Sequence, residues 1–376
     1  MNFGFSDEQE AFREALRRFL EARSPTAEVF RLTETPEGFD PAVWKQMAAE
    51  LGLQGVHIPE TYGGQGFGFL ELGIVLEEAG RALLCSPYFS SVCLGANAIL
   101  NAGSEKQKAA HLPGIASGET VATLALLDEG GSWSPASVSL ELRRDGDDCV
   151  LDGVKRLVTD GALADLVVVV ARLPGTRGEE GLSLIAVAGD DPGLEAVPVD
   201  PLDPTRRIAD LRFEGVRGEL LGEPGGAAAA VERTLDQASV CLAAESVGGT
   251  QRCLDASVEY ARTRVQFARP IGSFQAIKHR CAEVLLEVQS AKSAAYFANW
   301  TAAENNDELP LAASVARSFC GDAYVRAASE NVQIHGGVGF TWEAEPQLHY
   351  KRARWNRTLF GGSAFHRERI ARLKGF

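Results

Sequence analysis

The chain has 376 residues, of which 45% are hydrophobic, enough for a sizeable core in one large domain or in two to three smaller ones. Its 37 Lys and Arg residues against 51 Asp and Glu residues give a net charge of −14, which argues against the basic footprint of a nucleic-acid-binding protein. The sequence has no apolar run of about 18 residues, so we expect no membrane span, and the acidic first residues do not resemble a secretory signal.

The cysteines give no sign of a disulfide framework or a metal site. All seven are scattered, no two form a CxxC pair, and the six histidines are dispersed as well. We therefore expect buried thiols in a reducing cytoplasm and no structural zinc.

The first third of the chain has the patterns of helices. Ser6 and Gln9 have the spacing of a capping box, just before an apolar stripe at helical spacing. We predict an N-terminal helical domain over residues 1–117. The residues and segments with this periodicity are Phe12, Leu16, Phe19 and Leu20, then Pro41–Leu51, Leu70–Ala82 and Glu105–Leu112.

The middle of the chain changes to short runs rich in Val, Ile and Leu, separated by Gly-Asp, Asp-Gly and Pro-Gly turns. We predict a small β-domain, a barrel or a sandwich, over residues 118–226. The candidate strands are Cys149–Leu151, Leu166–Ala171, Leu182–Val187, Leu194–Val199 and Asp210–Phe213.

Long helical periodicity returns in Glu232–Thr263, Gln275–Asn299 and Pro310–Ile334. Long helices joined by short connections favour an antiparallel arrangement. We predict a C-terminal four-helix bundle over residues 227–376, and hence a mainly α protein with a central β-domain.

Two segments of the last third resemble the signatures of one family. Arg264–Gln275 reads RVQFARPIGSFQ and resembles the R-x-x-F-G-x-P-I-x-x-F-Q signature of acyl-CoA dehydrogenases, with Ala268 in place of the glycine. Gln333–Phe340 reads QIHGGVGF and resembles their Q-x-x-G-G-x-G-F/Y signature. Together with the order helical, β, helical, the resemblance covers nearly the whole chain.

The resemblance implies an FAD site shared between subunits, because in that family these segments bind the FAD of a neighbouring chain. A forked guanidinium at Arg264 suits a pyrophosphate, and Gly336 and Gly337 allow a ligand close to the backbone. A surface ion pair of Arg264 and a simple helix-ending turn at the two glycines are the alternatives. The candidate FAD-binding residues are Arg264, Gln266, Phe267, Gln275, Gln333, Gly336, Gly337, Thr159 and Ser132.

The implied activity is α,β-desaturation of an acyl-CoA thioester, with electron-transfer flavoprotein as acceptor. In the family a carboxylate removes the α-proton while the β-hydride goes to the flavin. That carboxylate usually lies in a Y-E-G-T stretch, but here the stretch is part of TLFGGSAFHR and Phe360 stands at the glutamate position. Some members carry the base at the position of Ala238, followed by an arginine where this chain has Ser239. Neither Phe360 nor Ala238 can accept a proton.

Flavin-facing positions of the middle region also differ from the family. Residues 126–133 read LLDEGGSW where the family has T-E-P-x-x-G-S-D, so Ser132 is retained. In the K-x-W-I-T-N-G stretch, Leu157 replaces the tryptophan that covers the flavin, whereas Thr159 is retained. The alternative interpretation of Thr159 is an ordinary strand residue.

Glu245 is the candidate for a relocated catalytic base. It falls on the apolar helical stripe formed by Val231, Leu235, Ala238 and Leu242. A glutamate on such a stripe must be paired, protonated or directed at a ligand cavity. Because Glu245 lies about 10 Å along the helix from Ala238, a buried glutamate paired to an arginine is the competing interpretation.

The chain also resembles actinobacterial acyl-CoA dehydrogenase subunits that act on steroid or other bulky thioesters, in residues 339–343, in residues 348–352 with Arg354, and in the FGGSA stretch at 360–364. Several of those are α2β2 heterotetramers in which one subunit type lacks the base. Three hypotheses follow: a dehydrogenase in a homotetramer or heterotetramer, a base-lacking subunit that completes a partner's FAD site, or a flavin oxidase or monooxygenase on the same fold.

Overall fold

The structure, a computed structural model, describes residues 4–146 and 148–376 and begins with a capped helix. The hydroxyl of Ser6 accepts a hydrogen bond from the Gln9 amide at 3.2 Å, and the Gln9 side-chain oxygen accepts one from the Ser6 amide at 2.9 Å. The predicted capping box is therefore present. The N-terminal helices are α1 (Asp7–Arg23), α2 (Thr26–Thr33), α3 (Pro41–Leu51), α4 (Phe69–Arg81), α5 (Asn97–Ala102) and α6 (Glu105–Ala116).

Between α4 and α5 the chain forms a π-helix, Phe89–Ala96, in which every residue is buried. π-helical segments are rare and are frequent at functional sites. This one packs on the first strand of the sheet and on the first long C-terminal helix. It thereby brings Phe89 and Ser90 to the junction of the three regions of the chain.

The central region is one open sheet rather than the predicted barrel or sandwich. Its strands lie in the order β1-β4-β5-β7-β3-β2, with β6 paired to β7, and β1 and β2 do not pair with each other in the described residues. The β1–β4 pair is parallel and the others are antiparallel. The strands are β1 (Ala122–Ala125), β2 (Leu142–Asp145), β3 (Asp148–Thr159), β4 (Leu166–Arg172), β5 (Leu182–Ala188), β6 (Leu194–Val199) and β7 (Ile208–Leu221).

The predicted bundle of four C-terminal helices consists of three long helices and two short ones. The last stretch is divided because Phe360 and Gly361 have φ angles of 56° and 101°, which no helix accommodates. A short hairpin, β8 (Val265–Gln266) and β9 (Arg269–Pro270), follows the first helix. The helices are α7 (Ala228–Thr263), α8 (Gln275–Ala303), α9 (Leu309–His335), α10 (Glu345–Thr358) and α11 (Ser363–Leu373).

Helices α4 and α7 approach each other closely through two glycines. A Cβ added at Gly80 would lie 2.1 Å from the carbonyl oxygen of Glu245, and one added at Gly248 would lie 1.7 Å from that of Glu77. Any larger residue at either position would force the helices apart. This contact fixes the middle of α7, and therefore Glu245, against the N-terminal region. None of the helices in the described part of the chain is long and apolar enough to cross a membrane.

Candidate active-site cleft and cofactor clamp

A cleft of about 180 Å³ lies where the loop after β1, the first turns of α7 and the turn between α10 and α11 meet. Trp133 comes from the loop, Ser239 from α7 and Phe360 from the turn. The cleft thus joins three positions at which the sequence departs from the family signatures. Its other lining residues are Ser134, Pro135, Glu179, Glu232, Leu235, Asp236, Phe365, His366, Arg369 and Arg372.

Aromatic side chains close the inner end of this cleft. The Phe360 ring meets the edge of Trp133 at a centroid distance of 5.3 Å and lies 6.5 Å from the ring of Phe89. Phe360 is only 6% exposed, although its φ of 56° is unfavourable for a bulky residue. The buried guanidinium of Arg317 holds the turn by donating to the backbone carbonyls of Asn356 and Leu359.

The carboxylates that line the cleft are either neutralised or at its mouth. Asp236 is buried and accepts hydrogen bonds from both terminal nitrogens of Arg369, one of them at 3.0 Å. Glu232 is exposed at the mouth, where partial burial and then the nearby charge of Glu179 raise its pKa. Among the lining residues, the inner end of the cleft therefore presents the Phe360 ring rather than a free carboxylate.

His366 lies at the cleft beside Phe360, although the sequence suggests a solvated or salt-linked residue. It is 2% exposed, and neither ring nitrogen has a hydrogen-bond partner. Burial, followed by the charges of Arg317 and Arg369, lowers the pKa of His366 to about 3. The imidazole is therefore neutral at physiological pH.

Glu245 is buried between two arginines. This agrees with the alternative to a catalytic base, namely a buried glutamate paired to an arginine. Its carboxylate oxygens lie 2.5 and 2.6 Å from Nη2 of Arg206, and Oε1 lies 2.5 Å from Nη1 of Arg352. Nε of Arg352 also donates to Asp203 at 2.7 Å. Burial alone would raise the pKa of Glu245, but the two guanidinium groups outweigh it and lower that pKa. A carboxylate stabilised in this way is a poor general base.

Asp160 is a further buried carboxylate near the cleft, and sequence reasoning did not single it out. It follows Thr159, has a φ of 52°, and accepts a hydrogen bond from Ser90 of the π-helix at 2.6 Å. Burial raises the pKa of Asp160 to about 6, against the opposing effects of Ser90 and the nearby arginines. The folded chain therefore binds a proton at Asp160 more readily than the unfolded chain does.

We expect Asp160→Asn to stabilise the protein at pH 7.5 by up to about 3 kcal/mol, because it removes a buried charge and keeps the acceptor for Ser90. The pKa of Asp160 is higher in the folded chain than in the unfolded chain. Its stabilising contribution to the free energy of unfolding is therefore fully present below about pH 4 and is lost as the pH rises through about 6. Urea unfolding at pH 4.5 and 7.5 tests this. The exposed Asp307→Asn is the control. If the free energy of unfolding of Asp160→Asn differed between pH 4.5 and 7.5 by as much as that of the wild type, the prediction would be contradicted.

The candidate residues of the two signature segments gather at the far end of the bundle. The ends of α7 and α9 are neighbours, since the ring of Tyr260 stacks on His335 at 4.1 Å and Ser257 bonds to Asn331 at 3.0 Å. Arg264 forms the C-cap of α7 and makes no ion pair with any described residue. The residues brought together here, all of them exposed, are Arg264, Gln266, Phe267, Gln275, Gln333, Gly336 and Gly337.

Ser132 and Thr159 lie outside this group of residues. Ser132 precedes the cleft residue Trp133, and Thr159 precedes Asp160, which bonds to the π-helix. Between the cleft residue Ser239 and Arg264 lie 25 residue steps (264 − 239), all but the last within α7, or roughly 38 Å at 1.5 Å per residue. The cleft end and the Arg264 end of α7 are therefore far apart, which is the separation that the FAD site shared between subunits, implied by the family resemblance, requires.

Both ends have room for a ligand against the backbone. A Cβ at Gly130, Gly131, Gly336 or Gly337 would meet no atom within 4 Å. The end of α7 that carries Arg264 and the two signature segments is called the clamp end. There the Phe267 ring is 87% exposed, and the Arg264 guanidinium is available for a pyrophosphate. The residues present therefore fit an FAD whose adenine and pyrophosphate meet one chain and whose flavin meets another.

Three domain descriptions match the chain in succession. These are acyl-CoA dehydrogenase N-terminal domain at residues 6–119, middle domain at 123–216 and C-terminal domain at 225–374. The probable acyl-CoA dehydrogenase YngJ of Bacillus subtilis is 32% identical over 99% of both chains. The ChsE4–ChsE5 complex of Mycobacterium tuberculosis superposes with a TM-score of 0.90 and 27% identity over the full length of both chains. A variant of the steroid dehydrogenase Tcur3481–Tcur3483 superposes with a TM-score of 0.88 and 26% identity over 98% of both chains.

Proposed function

The chain belongs to the acyl-CoA dehydrogenase family of FAD-dependent oxidoreductases, and from that premise we propose that it is the base-lacking subunit of a heteromeric acyl-CoA dehydrogenase. In this assembly a partner subunit carries the catalytic carboxylate, and the present chain completes the partner's FAD site. The substrate is an acyl-CoA thioester, and we propose a bulky acyl group of the steroid class.

The inner end of the cleft carries this proposal. Phe360 and Trp133 meet there, the buried lining carboxylate Asp236 is paired with Arg369, and Glu245 is held by Arg206 and Arg352. The free volume of about 180 Å³ is also below the roughly 300–1,000 Å³ of ordinary ligand pockets. Such a cleft neither removes an α-proton nor accommodates a bulky acyl chain.

The clamp end supports the role of a partner. When bound, FAD supplies the acceptor for the β-hydride of the thioester. Arg264 would neutralise the pyrophosphate, and the exposed backbone at Gly336 and Gly337 would approach it. Large apolar side chains are exposed around these residues, which marks a protein interaction surface. They are Val265, Phe267, Val338, Phe340 and Trp342.

The similar structures add a reason to expect two kinds of chain. The ChsE4–ChsE5 structure is a complex of two differently named chains, and Tcur3481–Tcur3483 is likewise named as a pair and as a steroid enzyme. We propose the same arrangement for this chain, as an α2β2 heterotetramer rather than a homotetramer. Electron-transfer flavoprotein is the proposed acceptor.

The proposal is tested by the visible spectrum and FAD content of the purified chain. Both are measured for the chain alone and after co-expression with a base-containing acyl-CoA dehydrogenase subunit. We expect the chain alone to be colourless and inactive, and the co-purified complex to be yellow and active. A chain that by itself retains a full complement of FAD, and bleaches when an acyl-CoA is added, would show that it is a complete dehydrogenase.

Arg264→Met is expected to weaken FAD retention by the complex about 10- to 100-fold, because a charge-assisted hydrogen bond to a phosphate is worth about 1.5–3 kcal/mol. FAD released on dilution, followed by its fluorescence, measures the effect. Arg262→Met is the matched control, since Arg262 is exposed on the preceding turn and lies outside the signature segment. Equal FAD release from the two variants would remove Arg264 from the clamp.

A further inference from the structure

Lys155 of β3 is a lysine with no exposed surface, and the proposed function assigns it no part. Its Nζ donates to the carbonyl oxygen of Leu126 at 2.9 Å and to Oδ1 of Asp128 at 2.5 Å. The side chain is 0% exposed. A buried ammonium group is costly unless it is paired, so Lys155 requires Asp128 to remain charged in this place.

Asp128 in turn joins the two ends of a loop. Its Oδ2 accepts hydrogen bonds from the backbone amides of Ser139 and Leu140, the latter at 3.2 Å, and from the Ser139 hydroxyl at 3.0 Å. Residues 129–138 between these ends form the loop that carries Ser132 and the cleft residue Trp133. Asp128 therefore closes the base of this loop, and Lys155 connects the base to the sheet.

The loop beyond that base is sparsely packed. A Cβ at Gly130 or Gly131 would meet no atom within 4 Å. On the other side of Lys155, strand β3 contains a bulge in which Leu157 has a φ of 51° and donates its amide to Asp210 at 3.0 Å. Two residues further lies Thr159. Lys155 thus stands between the two segments that the family resemblance places at the flavin, the loop 129–138 and the bulge 157–159.

We propose that Lys155 is a positioning residue for the cofactor: its ammonium group, through Leu126 and Asp128, sets the distance between the loop 129–138 and the bulge 157–159. The proposal rests on FAD binding to the family fold and on the part that Ser132 and Thr159 play in it. It is independent of which subunit carries the catalytic base.

The protonation of Lys155 provides a specific signature. Burial lowers the pKa of Lys155 to about 8, and the opposing attraction of Asp128 keeps it from falling further. Asp128 is the charged group that faces Lys155 among the described residues. As the pH rises through about 8, the ammonium loses its charge and its attraction for Asp128 weakens. The loop is then expected to loosen in a way that an arginine at the same position, always protonated, would prevent.

Hydrogen exchange of the assembled protein between pH 6 and 10, expressed as protection factors, tests the proposal. In the wild type we expect protection of residues 126–140 to fall at least about tenfold around pH 8, in line with one proton lost. Lys155→Arg should keep its protection to the highest pH, and Lys155→Met should lack it at every pH. In parallel, FAD retention should fall about tenfold or more in Lys155→Met, about 1.4 kcal/mol. Lys108→Met, which removes an exposed lysine–carboxylate pair, is the control.

Two results would overturn the proposal. One is a pH profile of loop protection that is the same in the wild type and in Lys155→Arg, which remains informative even if Lys155→Met does not fold. The other is a folded Lys155→Met that keeps both loop protection and FAD. If the wild type itself retains no FAD in the complex, the proposed function fails, while the exchange profile still decides whether Lys155 holds the loop.

Discussion

Phe360→Glu is expected to raise the rate of α-proton exchange of a short-chain acyl-CoA in deuterated water by about 10²–10⁴-fold, the usual contribution of a positioned general base. The change places a carboxylate at the inner end of the cleft and removes the ring that meets Trp133 and Phe89. A glutamate is smaller than phenylalanine, so the change also enlarges the cleft. Mass spectrometry of the thioester measures deuterium uptake without any contribution from hydride transfer.

Phe360→Gln is the matched control, because glutamine has the size of glutamate and is also polar, but it carries no charge and cannot act as the base. It should exchange no faster than the wild type. Rapid exchange by the wild-type chain would mean that another of its carboxylates, such as Glu232 at the mouth of the cleft, reaches the α-carbon. The chain would then have its own base and the proposed role of a base-lacking subunit would fall.

Arg352→Met is expected to lower the free energy of unfolding by about 3–5 kcal/mol, which is the range for breaking a buried ion pair on one side. Arg352 is 1% exposed and bonds to Asp203, Glu245 and Thr205. Its removal breaks the ion pair of Asp203 and leaves Arg206 as the ion-pair partner of Glu245 among the described residues. Urea unfolding at pH 7 measures the loss, and the exposed Arg354→Met on the same helix is the control.

The double variant Arg352→Met, Asp203→Asn separates loss of packing from loss of charge balance. If the uncompensated Asp203 carboxylate causes most of the destabilisation, the second change should recover a large part of it. A single variant Arg352→Met within about 0.5 kcal/mol of the wild type, the range of ordinary surface substitutions, would show that the cluster contributes little to stability.

Much of the fold follows from residues close together in the sequence. Capping at Ser6 and Gln9 and the periodicity of the long helices depend on local spacing, and both are present. The Asp152–Gly153 pair was a less reliable guide, since it predicts a turn that ends a strand. Instead β3 continues past it with a shift of register after Leu151, because pairing with the long strand β7 outweighs the local turn preference.

The buried charge cluster around Arg352 and the cleft were both harder to predict, because each is built from distant segments. Arg352 lies in a helix with several other arginines, and its sequence neighbours favour a solvated face. Only the folded chain brings Asp203 and Glu245 to it from 149 and 107 residues away. The burial of His366 was missed for the same reason, since its helix gives no sign that the side chain packs at the cleft near Phe360 and Arg317.

Helix α7 holds the two candidate surfaces, the cleft and the clamp, apart by most of its length. This separation bears on how the genes for two subunits of such an assembly can diverge. In the proposed assembly, a substitution at the cleft end would affect the site whose flavin that chain holds, whereas a substitution at the clamp end would affect a site in a different chain. After duplication, one copy can therefore lose its proton-abstracting machinery without harming the neighbour it serves. Selection on the clamp continues because the fitness of the other gene product depends on it, and the two copies become obligate partners.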